Sequence, residues 1–162
     1  MPRLKSCITL CPLAICLVGD GHPGPFPLAK GQCKFLLVAI DYFTKWIEAE
    51  PLAMITASMV QKFLWKNIVT CFDISHAIVT DNGPQFTDHK LNKFIQDLGI
   101  RHRFTSIEHP QSNRQAKAAN KVIFTELKKR LGDSKGAWAE ELLKVLWAYK
   151  CTPQSTIRET PF

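Results

Sequence analysis

The feature that most constrains the fold is an uninterrupted apolar run over residues 34–42, KFLLVAIDY. A run of this length is typical of a buried strand, because it is too short for a long helix or a membrane span. In the next stretch, residues 44–52 (TKWIEAEPL), successive side chains alternate between two faces, as apolar and polar residues follow one another. Alternation predicts a second strand, which pairs with the first and ends at Pro51.

Further along the chain, helix patterns and short strand patterns alternate. The spacing of apolar residues predicts helices over residues 56–72, 88–98, 115–131 and 137–150, and strands over residues 76–80 and 101–105. The four tryptophans fall at core-like spacing, so we expect them to pack rather than to stack on bases. The predicted fold class is α/β, in a single domain.

The net charge is concentrated in one stretch. The 162 residues include 21 Lys and Arg against 14 Asp and Glu, which gives +7. Nine basic and three acidic residues lie between Arg101 and Lys135, so that stretch carries +6 of the total. This excess favours an anionic partner, with nucleic acid first. No apolar run reaches the roughly 18–20 residues of a membrane span, so no membrane partner is expected.

The first 23 residues differ from the rest of the chain. A basic start, Met1 to Lys5, leads into an apolar run from Cys7 to Val18, as in a secretory signal. No convincing small-x-small cleavage site follows, so a small secreted protein is only an alternative. Three of the six cysteines lie here, and no C-x-x-C or paired-histidine spacing completes a zinc site.

Four segments of the chain resemble one protein family. They are GPFPLAKGQCKFLLVAIDYFTKWIEAEPLA (24–53), IVTDNGPQFTD (78–88), FTSIEHPQSNRQAKAANKVI (104–123) and LWAYKCTPQS (146–155). In this order they resemble the integrase catalytic core of gypsy-type LTR retrotransposons, a member of the retroviral integrase and DDE transposase superfamily. The resemblance implies a ribonuclease H-like fold, with a mixed central β-sheet flanked by helices.

The resemblance also implies a metal-dependent site with three carboxylates, Asp, Asp and Glu. Two Mg²⁺ or Mn²⁺ ions roughly 3.5–4 Å apart would clamp the attacking and leaving oxygens of phosphoryl transfer. Asp81, in its DNG context, matches the second carboxylate and is the expected catalytic and metal-binding residue. The family's Glu falls at Lys117, and Arg114 stands where the family usually has Gly. Because an ammonium repels a cation, we expect no productive metal binding, and an Asp81–Lys117 ion pair is the structural alternative.

The first carboxylate is displaced as well. In the family it lies three residues before the GPF motif, here residues 24–26, so the expected position is Gly21, and Asp20 is one place early. One of the possible coding sequences for residues 11–23, chosen among synonymous codons and read one base out of register, spells APWPFAWWGMDIL, which resembles the family. We therefore interpret residues 1–23 as out of frame, with a first strand that is missing or garbled. Residues 24–162 are the core-like domain, truncated at its carboxyl-terminal end relative to a full integrase.

The helix predicted over residues 115–131 carries a basic stripe. Arg114, Lys117, Lys121 and Lys128 follow one another at offsets of three, four and seven residues, opposite an apolar face. With Asn120, they are the expected nucleic-acid-binding residues, and they would contact DNA phosphates largely independently of base sequence. The alternative is an ordinary solvated helix face.

Three functional interpretations stay open at this point. The first is an integrase domain linked by descent to DNA integration, with polynucleotidyl transfer lost in this copy. The second is a non-enzymatic remnant that binds nucleic acid or self-associates, since the resemblance implies a possible homodimer. The third is the secreted protein. The resemblance implies a nuclear or cytoplasmic location.

Overall fold

The fold is seen in a computed structural model of the chain. The structure describes residues 13–18, 28–41, 44–72, 77–80, 83–104, 118, 121–122, 125–126, 129, 135–153 and 158–160. Within the predicted helix over residues 115–131, the described residues are helical, and the others lie outside the described part.

Five strands form one mixed sheet. They are β1 (Leu13–Val18), β2 (Phe35–Asp41), β3 (Ile47–Leu52), β4 (Ala77–Thr80) and β5 (Arg101–Phe104). Their order across the sheet is β3-β2-β1-β4-β5. β2 pairs antiparallel with both β1 and β3, whereas β4 pairs parallel with both β1 and β5. The predicted pairing of the two early strands is confirmed.

The central strand comes from the first 23 residues of the chain. β1 pairs with β2 from Leu13↔Asp41 to Val18↔Leu36 and with β4 from Leu13↔Ile78 to Ile15↔Thr80. The first strand was expected to be missing or garbled; it is present, and only the first of these two alternatives is wrong. Its sequence, LAICLV, is continuously apolar, which suits a strand with neighbours on both sides. The frameshift itself stays a prediction.

Local signals in the sequence account for the helix ends. Helix α1 (Ala57–Phe63) begins after Thr56, whose side chain accepts a hydrogen bond from Met59 N, and it continues as a π-helical stretch, Leu64–Val69, and a last turn, Thr70–Phe72. A short turn, α2 (Pro84–Thr87), precedes α3 (His89–Asp97).

Helix α3 is capped at both ends. The Asp88 carboxylate accepts from Lys90 N and Leu91 N at 2.8 and 3.3 Å. Gly99 follows the helix with a φ of +73°, a backbone conformation that residues other than glycine rarely adopt. Helix α4 (Trp138–Lys150) follows a 3₁₀ turn, Lys135–Ala137.

Helices cover both faces of the sheet, and the alternation along β2 separates two clusters of buried residues. Leu36, Val38 and Ile40 pack with α4, whereas Leu37 and Ala39 pack with α1 and α3. A polar group also joins α4 to β3, because Glu48 Oε1 accepts from Trp46 Nε1 at 2.7 Å and from Lys150 Nζ at 3.0 Å. The resulting α/β/α layering confirms the predicted fold class.

Two details differ from the sequence predictions. Pro51 does not end β3 but lies within it, opposite Leu36. Proline is tolerated there because β3 is an edge strand of the described sheet, so a missing N–H on its outer side breaks no hydrogen bond between strands. Trp65 and Trp147 are more than half exposed, so they are not the core residues that their spacing predicted. Among the described residues, no helix is long and apolar enough to cross a membrane.

Candidate active-site edge and nucleic-acid interface

The candidate active-site edge lies at the carboxyl end of β4. Its last residue, Thr80, is only 1% exposed, and Asp81 follows it directly in the sequence. Asp81 and Asn82 lie outside the described residues. Ligands of open α/β sheets bind beyond the carboxyl ends of parallel strands, so β1 and β5, the parallel neighbours of β4, border this edge.

The neighbouring strand β1 contains no carboxylate. Its register pairs Ile15 with Thr80, so the next position along β1 is Cys16, and the strand ends at Val18. Asp20 and Gly21, the two positions weighed for the first metal ligand, come after the strand and lie outside the described residues. The strand beside β4 is therefore built from residues upstream of the expected carboxylate.

The structure describes few of the other predicted site residues. Lys121 is helical and exposed, as a phosphate-contacting residue should be. Arg114, Lys117, Asn120 and Lys128 lie outside the described residues, so their roles stay predictions. Within the described part of the chain, no three His, Cys, Asp or Glu side chains are grouped so that they could hold a metal ion.

A hydrogen-bond network that the sequence did not indicate supports the end of β4. Thr80 Oγ1 lies 2.7 Å from His102 Nε2, on the adjacent strand β5. His102 Nδ1 lies 2.5 Å from Asn92 Oδ1, on α3. Asn92 Nδ2 in turn donates to the backbone oxygens of Phe86, at 3.3 Å, and Asp88, at 2.8 Å. Nothing in the local pattern of His102 or Asn92 marks them as partners, because the fold alone brings them together.

The donors and acceptors of this network can be assigned. Because Asn92 uses its amide nitrogen on two carbonyl oxygens, its Oδ1 faces His102 and accepts from Nδ1–H. His102 Nε2 then accepts from the Thr80 hydroxyl. Burial lowers the pKa of His102 below its usual value, in agreement with a neutral imidazole in this position.

Two arginines lie on the other side of β5. Arg101 and Arg103 are exposed and alternate with His102 and Phe104, which are partly buried. Since His102 contacts α3, the two arginines project from the opposite face of the strand. In the described part of the chain, neither arginine forms an ion pair, and both side chains are exposed.

The sequence matches the family model described as integrase core domain over residues 16–110. The chain belongs to the integrase core domain family. This confirms the predicted retroviral integrase superfamily, whereas the narrower gypsy-type assignment stays a prediction.

The similar sequences are much longer retroviral polyproteins. The chain is 31% identical over 125 residues to the Gag-Pol polyprotein of avian reticuloendotheliosis virus, a match that covers 77% of the chain and 11% of the polyprotein. It is 35% identical over 96 residues to the Pol polyprotein of Feline endogenous virus ECE1, which covers 59% of the chain and 9% of that polyprotein. The chain thus spans about a tenth of the length of these relatives.

Solved structures share the fold of this integrase core domain. A chain of the simian T-cell lymphotropic virus intasome in complex with PP2A regulatory subunit B56 gamma superposes with a TM-score of 0.78 at 20% identity, covering 99% of this chain and 57% of that one. The catalytic core domain of BIV integrase gives 0.70 at 19% identity, covering 91% of this chain and 90% of that one. The predicted ribonuclease H-like fold is confirmed.

Asp41 is a turn residue of this integrase core domain. Its Oδ2 accepts from Thr44 N at 3.1 Å and from Thr44 Oγ1 at 2.6 Å. β2 runs antiparallel to β4, so Asp41 lies at the edge where β4 begins rather than where it ends. Asp41 therefore serves the turn between β2 and β3.

A groove of about 580 Å³ runs along β3, between α4 and the π-helical stretch that follows α1. Glu48 and Glu50 form part of its floor, and Lys66 and Lys150 lie on opposite walls. Leu143 and Trp147 of α4 border it, and they are 74% and 61% exposed. An apolar rim beside both signs of charge is typical of a protein-binding face.

Proposed function

We propose that this integrase core domain binds DNA and does not catalyse polynucleotidyl transfer. The observation that carries the proposal is the composition of β1, the strand beside β4, which has no carboxylate at any position. Lys117, at the expected position of the third carboxylate, also supports the loss of catalysis. Descent from a retroelement integrase accounts for the fold, and the location would be nuclear or cytoplasmic.

The residues present do not fit the divalent-ion site of the family. Of the three expected carboxylates, Asp81 alone stands at its position in the sequence. The described side chains around the end of β4 are Thr80, His102 and Asn92, which are uncharged and already bonded to one another. A pair of hard cations requires several oxygen ligands and compensating negative charge, so we derive no step that involves a metal ion.

Exposed cations offer a surface for DNA phosphates. Arg101 and Arg103 lie two residues apart on an edge strand, so their side chains leave the same face roughly 7 Å apart. Lys121 is exposed on the segment predicted to carry the basic stripe. Contacts of this kind are electrostatic, largely sequence-independent and weakened by salt.

Neutralising the two arginines tests this surface. In Arg101→Gln/Arg103→Gln, we expect the slope of log affinity against log salt to fall by about 2, because about one counterion is released for each phosphate contact. The measurement is fluorescence anisotropy with a labelled duplex between low and moderate salt. Lys90→Gln/Lys93→Gln removes the same charge from exposed positions on α3 and should leave the slope unchanged. An equal fall in both variants would show that only net charge matters.

Self-association is a second candidate function, and the groove along β3 favours it. A face that contains acidic, basic and exposed apolar groups can contact a second copy of itself around a two-fold axis. Burial of Leu143 and Trp147 from both copies would supply the apolar centre of such an interface.

We expect Leu143→Glu to convert dimer to monomer, with at least a tenfold rise in the dissociation constant. A two-fold axis places the new carboxylate in the interface twice, beside Glu48 and Glu50. Sedimentation velocity over a concentration series measures this. Met54→Glu is the matched control, because Met54 is 64% exposed and does not line the groove. A wild-type chain that stays monomeric at all concentrations would refute the dimer.

A further inference from the structure

The hydrogen-bond network around His102 contacts residues that come before and after Asp81 in the sequence. Before that segment, Thr80 bonds to His102 from the end of β4. After it, Asn92 holds the backbone oxygens of Phe86 and Asp88. In the described part of the chain, His102 is the side chain that joins Thr80 to Asn92, and it does so through both ring nitrogens.

The backbone on the far side of the segment is ordered by its own hydrogen bonds. Phe86 N and Thr87 N both donate to Gly83 O, at 2.9 and 3.1 Å, which forms the turn of α2. Asp88 then caps α3 through its side chain. A chain of hydrogen bonds therefore leads from Thr80 through His102 and Asn92 to the backbone of Phe86 and Asp88.

We propose that His102 is a positioning residue, which fixes the end of β4 relative to the turn of α2 and the start of α3, the described elements on either side of Asp81 in the sequence. The inference rests on the proposed function only in taking Asp81 as the residue that the family would use. The support comes from the protein itself and requires no bound ion.

Each bond in the network lies in a half-buried or buried setting, where it is protected from competing water. Thr80 is buried, and burial also lowers the pKa of His102, which keeps the ring neutral and able to accept from the Thr80 hydroxyl. The His102 ring additionally lies 4.4 Å, centroid to centroid, from the ring of Phe104. These contacts restrict the imidazole to one orientation.

Hydrogen exchange measured by NMR, with no DNA or divalent ion present, tests the proposal. In Thr80→Val, which keeps the branched shape and loses the hydroxyl, we expect the amides of Phe86 and Thr87 to exchange about three- to tenfold faster. Amides within α4, such as Leu142 and Val145, should be unchanged. Thr80→Ser keeps the hydroxyl and should restore protection. Should Thr80→Val fail to fold, His102→Phe, which preserves a ring beside Phe104, replaces it with the same expected pattern.

Three results would overturn the proposal. Unchanged exchange at Phe86 and Thr87 would show that the network does not hold the turn. Equally accelerated exchange of the amides in α4 would show that Thr80 contributes to the stability of the whole fold and not to this turn in particular. Added protection of the wild-type amides by millimolar Mg²⁺ would assign the ordering to an ion. Strand-transfer activity, if found, would refute the proposed loss of catalysis but would leave this exchange pattern untouched.

Discussion

Strand transfer by the purified chain is expected to stay at background in Mg²⁺ and in Mn²⁺. The reaction of this family needs two cations that are held close together by several carboxylates while the attacking and leaving oxygens are in line. This chain supplies Asp81, whereas β1 has no acidic residue and position 117 is a lysine. A lysine ammonium near the site opposes cation binding instead of supporting it.

A gel assay with a labelled DNA end measures the transfer, with an active retroviral integrase run in parallel. Lys117→Glu restores one carboxylate, and Lys117→Glu/Gly21→Asp restores two in the sequence. We expect neither variant to recover activity, because Cys16, the β1 position that follows the Ile15–Thr80 pair, still has no carboxylate. Ion-dependent products from the unmodified chain would contradict the proposed loss of catalysis.

Trp138→Ala is expected to destabilise the fold by about 3–5 kcal/mol, enough to unfold many domains of this size. Trp138 begins α4, is 0% exposed, and packs with Leu36, Val38 and Ile40 of β2. Removing the indole leaves a large cavity between the helix and the sheet, which the backbone of β2 cannot fill because it is held by strands on both sides.

Urea denaturation followed by far-ultraviolet circular dichroism measures this loss. The matched control is Trp147→Ala, on the same helix, where the side chain is mostly exposed, and both variants are measured at a protein concentration at which the chain is monomeric. We expect that variant to change the free energy of unfolding by less than about 0.5 kcal/mol. Similar losses in the two variants would mean that α4 does not pack through Trp138.

Local patterns in the sequence predicted most of the regular structure. The apolar run at 34–42 contains β2, and the helices predicted over residues 56–72 and 88–98 contain α1 and α3. These features depend on the intrinsic preferences of a few neighbouring residues, so they can be recognised without knowledge of the fold. The exposure of Trp65 and Trp147 could not be predicted in this way, because it depends on which side of a helix finds a partner.

The first strand shows a different limit of sequence interpretation. The motif spacing placed the first carboxylate at position 21, yet the central strand is formed by the apolar residues Leu13–Val18. The central place in the sheet, between β2 and β4, is filled by an apolar segment. Motif spacing alone does not predict which segment this is, because the answer depends on which residues pair with β2 and β4 in the folded sheet.

The sequence by itself was enough for the retroviral integrase superfamily, and it predicts Asp81 as the second carboxylate and Lys117 at the position of the third, since each is a matter of residue identity at a given place in a motif. The tertiary structure alone decided which residues support that site. Thr80, Asn92 and His102 are separated by ten or more residues, and they meet because parallel pairing of β4 with β5 and packing of α3 bring them within hydrogen-bond distance. Such a contact depends on the sheet register, which no local pattern encodes.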